Sequence, residues 1–222
     1  MANLEYIVPT NYHGSSPRLE EIERLEGMLA YEREAMSSGY RLIAGIDEVG
    51  RGPLAGPVVS AAVILQELYM LEGLDDSKKL APRTRERLSE SISRDAVAWG
   101  VGVSDSEEID EINILNATIA SMERALSALA PQPDFLLVDA LSLHNVNIEQ
   151  NAIIKGDSLS LSIAAASVMA KVIRDKLMII YDGIYPGYGF AKHKGYGTRE
   201  HMESIRKLGL CPIHRRQFCH IG

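Results

Sequence analysis

Residues 43–57 read IAGIDEVGRGPLAGP and join two apolar runs of the chain. The first run ends in the adjacent carboxylates Asp47 and Glu48. After a glycine-rich turn the second run, rich in β-branched residues, continues to Leu65. This pattern predicts a β-hairpin that carries two acids at its bend, with both strands well buried. Because carboxylate oxygens are good ligands for hard cations, the bend is a candidate metal site.

The composition indicates one globular domain of α/β size. The chain has 222 residues, of which 46% are hydrophobic and 24% are charged, enough to bury a single core. No apolar run approaches the roughly 20 residues that a membrane-spanning helix needs, and residues 1–14 lack the pattern of a secretion signal. We therefore expect a cytoplasmic protein without membrane contact.

The charge is distributed unevenly along the chain. A net charge of −7 argues against simple polyanion binding, because a protein that neutralises phosphates usually carries a basic excess. Residues 192–220, however, contain seven Lys or Arg and four His against two Glu, whereas residues 1–40 are richer in acid than in base. The sequence therefore permits a basic face on an acidic protein.

Apolar periodicity predicts an α/β fold with one mixed five-stranded sheet, flanking helices and a C-terminal helical segment. An amphipathic helix, capped by Ser16 and opened by Pro17, precedes the first strand. Strands are expected at residues 41–47, 57–65, 96–104, 135–139 and 153–157. Helices are expected at residues 82–94, 112–129, 160–180 and 198–208, with a short one that starts at residue 106. We expect residues 1–40 to form a helical extension packed on a domain that spans residues 41–222.

Three of the predicted strands end in acids. Asp139 follows the apolar run FLLV and Asp157 closes the next strand, which repeats the placement of Asp47 and Glu48. Any one of these acids could be a helix cap or a solvated loop residue, but three strand ends, one of them doubled, favour a shared site.

Four ionised carboxylates in one site raise one another's pKa and cost stability unless cations compensate them. Oxygen ligands without nearby His or Cys favour Mg²⁺ or Mn²⁺ over zinc. Two such ions about 4 Å apart can activate a water and stabilise the leaving oxygen when a phosphodiester is hydrolysed. The acids therefore predict a metal-dependent phosphodiesterase.

Nucleotide-binding motifs and a zinc site fit the sequence less well. Arg51 and Gly52 stand where a P-loop requires Lys followed by Ser or Thr, and residues 50–56 are one residue too long for the dinucleotide fingerprint. The glycines instead favour close approach of the backbone to a sugar or phosphate. Residues 211–220 offer Cys and His, but an adjacent Cys-His pair breaks the usual zinc spacing, so we expect reduced thiols there.

Seven short segments of the sequence form a recognisable series. They are DEVGRGPLAGPVV (47–59), DSKKL (76–80), VD (138–139), KGD (155–157), AAASVMAK (164–171), HKGYGT (193–198) and PIHRR (212–216). In this order they resemble the motifs of the ribonuclease HII family. The resemblance implies a ribonuclease H-like fold and endonucleolytic cleavage of RNA in RNA/DNA hybrids, including single ribonucleotides in duplex DNA. It also implies 3′-hydroxyl and 5′-phosphate products.

The same resemblance implies roles for particular residues. The metal ligands would be Asp47, Glu48, Asp139 and Asp157, with Mn²⁺ or Mg²⁺ as cofactor and two ions when substrate is bound. The residues that line the ribose 2′-hydroxyl would be Gly50, Arg51 and Gly52. Tyr196 would stack on the sugar after the RNA to DNA junction, and Lys78 would hold a backbone phosphate.

Simpler interpretations exist for two of these roles and for one neighbour. Tyr196 could be a packed aromatic and Lys78 a solvated charge, although the basic, glycine-rich loop around Tyr196 favours substrate contact. His193 could be a loop residue bonded to the backbone, and it receives no role.

The sequence leaves three alternative functions to compare. Type HIII enzymes share the acidic signature but carry a sizeable extra domain before it, for which residues 1–40 are too few. Another metal nuclease of this fold, such as a resolvase or integrase, would cut DNA instead. An inactive hybrid-binding module conflicts with the complete set of acids. Since no dimerisation stripe is visible, we expect a monomer.

Overall fold

The computed structural model describes residues 19–67 and 69–219. The predicted helix start at Ser16 and Pro17, and His220 of the zinc alternative, lie outside these ranges. Within them, no helix combines the length and the apolar character needed to span a bilayer.

The centre of the fold is a mixed sheet of five strands. β1 (Ile43–Val49) pairs antiparallel with β2 (Val58–Ile64), which pairs antiparallel with β3 (Ala98–Ser104). On the other side of β1 lie the parallel strands β4 (Phe135–Asp139) and β5 (Glu149–Ile153), giving the order β3-β2-β1-β4-β5. The predicted mixed five-stranded sheet is therefore confirmed.

Helices surround this sheet. In the described ranges they are α1 (Leu19–Met28), α2 (Ala30–Ser37), α3 (Pro82–Asp95), α4 (Ser106–Ser127), α5 (Leu161–Ile184), α6 (Phe190–His193) and α7 (Arg199–Leu208). α4 is interrupted at Asn113, where φ is 66°. The Asn113 Oδ1 accepts from the backbone N–H groups of Leu115 at 3.0 Å and Asn116 at 3.1 Å, as a helix cap does. The two helices predicted in this region therefore meet at Asn113.

Helices cover both faces of the sheet. On one face the alanines 164–166 of α5 share a buried cluster with Val63 of β2 and Leu88 of α3. On the other face Met122 of α4 packs in a second cluster with Ile46 of β1. Because β1 and β4 are parallel neighbours, their carboxyl ends lie side by side at one edge of the sheet.

The helices before β1 pack against α5. Leu25 and Leu29 are buried in the same cluster as α5. The Glu32 carboxylate of α2 accepts from the Ser160 hydroxyl at 2.7 Å and from the Ser162 N–H at 2.9 Å, where α5 begins. A carboxylate at a helix N-terminus satisfies free N–H groups and complements the helix dipole, so Glu32 helps to fix the start of α5.

Two strand predictions were wrong in their limits. β1 extends to Val49, so Asp47 and Glu48 lie within the strand rather than at the bend. β5 ends at Ile153, and Asp157 lies beyond it in the 3-10 turn Gly156–Ser158. The limits of β5 were missed because this edge strand reads EQNAI, and such polar residues form no apolar run.

Candidate active site

Three carboxylates meet at the carboxyl ends of β1 and β4. Asp47 and Glu48 come from β1, and Asp139 is the last residue of β4. One carboxylate oxygen from each residue lies within 4.8 Å of the other two. The parallel register that sets Ile46 beside Val138 brings these side chains together. The structure thus unites three of the four predicted metal ligands.

The fourth predicted ligand, Asp157, lies beside this group but is engaged elsewhere. Its carboxylate is buried and accepts from Lys78 Nζ at 3.1 Å. Its neighbour Gly156 donates its N–H to Asp139 Oδ1 at 2.7 Å, which ties the 3-10 turn to the end of β4. Lys78 therefore lies at the edge of the acidic group, with its side chain 76% exposed.

The three carboxylates are held at an electrostatic cost. Burial, followed by the charges of Glu48 and Asp139, raises the pKa of Asp47 well above its ordinary value. Burial also raises the pKa values of Glu48 and Asp139, although the Arg51 guanidinium opposes this shift at Glu48. Bringing three such groups together without a compensating charge destabilises the fold.

One oxygen of the group is left without a partner. Glu48 Oε2 is buried and accepts no hydrogen bond from any residue of the described ranges. A buried acceptor left unsatisfied costs free energy, and a cation would satisfy it while compensating the clustered charges. The donors are all hard carboxylate oxygens, the type that Mg²⁺ and Mn²⁺ prefer. The residues present therefore fit a divalent ion.

In the turn after β1, Gly50 and Gly52 differ in how much space surrounds them. Gly50 has a φ of 97°, and a Cβ there would lie 2.2 Å from Arg174 Nε, so this position requires glycine. Gly52 has no such neighbour, because a Cβ there would meet no described heavy atom within 4 Å. Between them, Arg51 extends partly into solvent with Nη1 3.4 Å from Glu48 Oε1. The position of a side chain at Gly52 is therefore open space.

Gly45, which lies in β1 before the acids, has a different role from the one expected. The sequence suggested that these glycines allow a sugar or phosphate to approach the backbone. Instead, a Cβ on Gly45 would lie 2.0 Å from the backbone carbon of Ser162, at the start of α5. Gly45 therefore allows a helix, rather than a ligand, to lie close to β1.

Buried histidines hold the backbone of the loop that carries Tyr196. Tyr196 is 45% exposed, but its carbonyl accepts from the buried His201 Nδ1 at 2.9 Å. His201 Nε2 in turn lies 3.1 Å from His214 Nε2. Burial lowers the pKa of His201 to about 4 and also lowers the pKa of His214, which favours neutral imidazoles that each donate one hydrogen bond. His193, which received no role from the sequence, bonds the Tyr188 carbonyl at 2.8 Å and stabilises the same loop.

In the described part of the C-terminal segment, Cys211, His214 and Cys219 do not gather as metal ligands. Within the described ranges, the group of Asp47, Glu48 and Asp139 is the one set of three ligand-type residues close enough to share an ion. Cys211 Sγ contacts His214 Nδ1 at 3.1 Å, and burial raises the pKa values of Cys211 and Cys219, which favours their neutral thiols.

Two residues next to the turn were missed by the sequence reasoning. Arg174 and Arg215 are completely buried, and both donate hydrogen bonds to backbone carbonyls of residues 50–57. A signal existed for Arg174, since it lies one helical turn after Ala170 on the small-residue face of α5 that packs on the sheet. Arg215 lies in a short C-terminal segment without periodicity, where no local pattern indicates burial.

Comparison with known proteins agrees with this geometry. The sequence model of the family described as Ribonuclease HII matches residues 44–221. The ribonuclease HII of Ruminiclostridium cellulolyticum is 57% identical over 198 residues, covering 89% of this chain and 78% of the relative. That of Acetivibrio thermocellus is 57% identical over 199 residues, covering 90% of this chain and 78% of the relative.

Solved structures of similar proteins show the same fold. The ribonuclease H2 of Pyrococcus horikoshii OT3 has a TM-score of 0.67 at 27% identity, over 80% of this chain and 93% of that one. The structure of the PCNA:RNase HII complex from Archaeoglobus fulgidus gives 0.66 at 25% identity, over 82% of this chain and 95% of that one. The predicted ribonuclease H-like α/β fold is thus confirmed. The chain belongs to the ribonuclease HII family, whose members cut RNA in RNA/DNA hybrids and at ribonucleotides in DNA.

Proposed function

We propose that Asp47, Glu48, Asp139 and Asp157 hold the divalent ions, Mn²⁺ or Mg²⁺, with which this ribonuclease cuts RNA. The observation that carries the proposal is the trio of clustered carboxylates, in which Glu48 Oε2 is buried without a partner in the described ranges. When bound, the ions supply an activated water and stabilise the leaving oxygen of the phosphodiester. Products would carry 3′-hydroxyl and 5′-phosphate ends.

The chain's own hydrogen bonds orient these acids. The Glu48 N–H donates to Asp47 Oδ1 at 2.7 Å, and the Gly156 N–H donates to Asp139 Oδ1 at the same distance. Fixed carboxylates lose little freedom when an ion binds, which favours a defined site. Lys78 holds Asp157 at 3.1 Å, and its exposed ammonium could contact a backbone phosphate of the substrate strand.

Recognition of the sugar is proposed for the turn at residues 50–52. Gly50 shapes the backbone, Arg51 lies against Glu48, and the side of Gly52 is open. Because Arg51 Nη1 lies 3.4 Å from Glu48 Oε1, a ribose 2′-hydroxyl bound at this turn would be close to the acids. This hydroxyl is the group that distinguishes RNA from DNA. The arrangement would join recognition of the sugar to cleavage beside it.

The substrate proposal can be tested with three duplexes of one sequence. We expect cleavage of an RNA/DNA hybrid and of DNA that contains one ribonucleotide, with Mg²⁺ or Mn²⁺ but not with EDTA, and no cleavage of the all-DNA duplex. The nick should be ligatable at its 5′ end and extendable at its 3′ end. Equal cutting of the all-DNA duplex would favour a resolvase- or integrase-type nuclease, and binding without cutting would favour an inactive binding module.

Tyr196 provides a second prediction, because its ring is partly exposed while its backbone is anchored. Tyr196→Ala should lower kcat/KM at a single embedded ribonucleotide by about 10-fold or more, since stacking is worth about 1–3 kcal/mol. Duplex affinity, which depends mainly on phosphate contacts, should change far less. Tyr196→Phe keeps the ring and should retain activity. An equal loss in cleavage and in duplex binding for Tyr196→Ala would count against a stacking role.

The organisation of the whole chain is also a proposal. We expect residues 1–40 to be an extension packed on the catalytic domain at residues 41–222, and the enzyme to act as a monomer in the cytoplasm. The burial of Leu25 and Leu29 beside α5 supports the packing. Light scattering of the purified chain should give the mass of one copy.

A further inference from the structure

Two buried arginines lie behind the turn at residues 50–57. Arg174 of α5 and Arg215 of the C-terminal segment have no exposed surface. Among the described residues neither forms an ion pair with a carboxylate within 4.0 Å, although Arg85, Lys171 and other cations do. A buried guanidinium without an acid is costly unless its donors are satisfied. Their partners therefore explain their presence.

In the part of the chain that the structure describes, Arg215 donates hydrogen bonds only to carbonyls of this turn. Its Nε donates to the Gly56 carbonyl at 3.0 Å, and its Nη1 donates to those of Arg51 and Pro53, both at 2.8 Å. Its Nη2 donates to the carbonyls of Gly50 and Gly56. A guanidinium has five N–H groups, and here each has a carbonyl of the same turn as its partner. Burial lowers the pKa of Arg215 to about 9, which leaves it charged at neutral pH.

Arg174 connects the turn to the loop of Tyr196. Its Nε donates to the Pro57 carbonyl at 2.9 Å and its Nη2 to the Ala55 carbonyl at 3.3 Å. Its Nη1 donates to the Lys194 carbonyl at 3.0 Å, two residues before Tyr196. The same guanidinium also occupies the space that a side chain at Gly50 would need. One side chain thus sets the position of both proposed substrate-contacting segments.

These contacts determine where the N–H groups of the turn point. In a trans peptide the carbonyl and the following N–H point in opposite directions. Because Arg215 binds the carbonyls of Gly50 and Arg51, the N–H groups of Arg51 and Gly52 point away from it. In the described ranges neither of these two N–H groups has a hydrogen-bond acceptor. Among the described residues these two donors are thus unused, and a Cβ on Gly52 would meet no heavy atom within 4 Å, so the turn leaves room for a ligand.

We propose that Arg215, assisted by Arg174, is a positioning residue that directs the N–H groups of residues 51 and 52 toward the ribose and thereby sets the selectivity for ribonucleotides. This inference rests on the proposed function of the turn in reading the sugar. A lysine would keep the charge, but its ammonium has three donors at one point and cannot bind four separate carbonyls. Arg215→Lys therefore tests geometry rather than charge.

The experiment uses the full chain with Mn²⁺ and measures three quantities. They are kcat/KM on a DNA duplex with one ribonucleotide, the Ki of the matching all-DNA duplex as a competitor, and the melting temperature. Arg215→Lys should lower kcat/KM by about 30-fold, as expected when charge-assisted hydrogen bonds that hold the turn are lost. The Ki for all-DNA should change less than about twofold, because phosphate contacts carry that binding. The exposed neighbour variant Arg216→Lys should leave all three values unchanged.

A second variant protects the test against misfolding. If Arg215→Lys does not melt cooperatively, Arg174→Lys should show the same selective loss to a smaller degree, because it releases only the Ala55, Pro57 and Lys194 carbonyls. Folded variants that keep the parent kcat/KM, or that weaken both duplexes by the same factor, would overturn the inference. A parent enzyme that does not cut the ribonucleotide duplex would contradict the proposed function instead, so the two failures are distinct.

Discussion

Asp47→Asn should lower cleavage of both ribonucleotide-containing duplexes by about 10³-fold or more, because loss of a metal ligand removes several kcal/mol of transition-state stabilisation and about 1.4 kcal/mol equals one factor of ten. The folded structure should survive. The carboxamide oxygen can still accept the Glu48 N–H that Asp47 Oδ1 accepts at 2.7 Å. Affinity for the hybrid should be nearly unchanged, since the substitution removes a metal ligand but leaves the proposed phosphate contact of Lys78 in place.

Thermal stability gives an independent readout of the same substitution. A carboxyl whose folded pKa is raised contributes stability at low pH, and that contribution is lost as pH rises through the folded pKa. The pKa of Asp47 is raised in this way by burial and by Glu48 and Asp139. At neutral pH in EDTA, Asp47→Asn should therefore have a higher melting temperature than the parent. Added Mn²⁺ should raise the melting temperature of the parent by more than it raises that of Asp47→Asn.

The matched control is Asp182→Asn, which makes the same chemical change in the last turn of α5, away from the acids. It should preserve cleavage, and Mn²⁺ should stabilise it as it stabilises the parent. Retention of Mg²⁺- or Mn²⁺-dependent cleavage by Asp47→Asn would contradict the proposed role of Asp47, as would equal Mn²⁺ stabilisation of this variant and the parent.

The sequence predicted the strands of the sheet well where local patterns exist. The apolar runs around Asp47 and before Asp139 are continuous, so buried central strands and the acids on them could be read directly. That Asp47 and Asp139 meet depends on parallel pairing of β1 and β4, which local periodicity does not contain. The recurrence of acids at strand ends favoured one shared site, and the family resemblance implied the same four ligands, but neither contains the pairing that brings them together.

Other features depend on contacts between distant parts of the chain. Asp157 reaches the acids through the 3-10 turn and its Lys78 partner, not through a strand end. Arg215 binds carbonyls of Gly50 and Gly56, about 160 positions earlier in the sequence. Such backbone contacts leave no composition or period to detect.

Gly45→Ala should cause a large loss of stability without changing the turn at residues 50–57. The added Cβ would lie 2.0 Å from the Ser162 carbon and 2.3 Å from the Ile163 nitrogen, which are backbone atoms of α5 and cannot rotate away. Overpacking against side chains costs about 1–3 kcal/mol, and we expect about 3 kcal/mol or more here because a whole helix must move.

For a chain of this size, that loss corresponds to a melting temperature lower by about 6–12 °C. Since α5 follows the turn that carries Asp157, its displacement should also shift Asp157 relative to Asp139 and reduce cleavage in the folded fraction. Gly27→Ala is the matched control. A Cβ there meets nothing within 4 Å, and alanine in a helix should be neutral or stabilising by up to about 1 kcal/mol. Equal melting temperatures for Gly45→Ala, Gly27→Ala and the parent would contradict the close approach of α5 to β1. They would also contradict the placement of Asp157 beside the acids that depends on it.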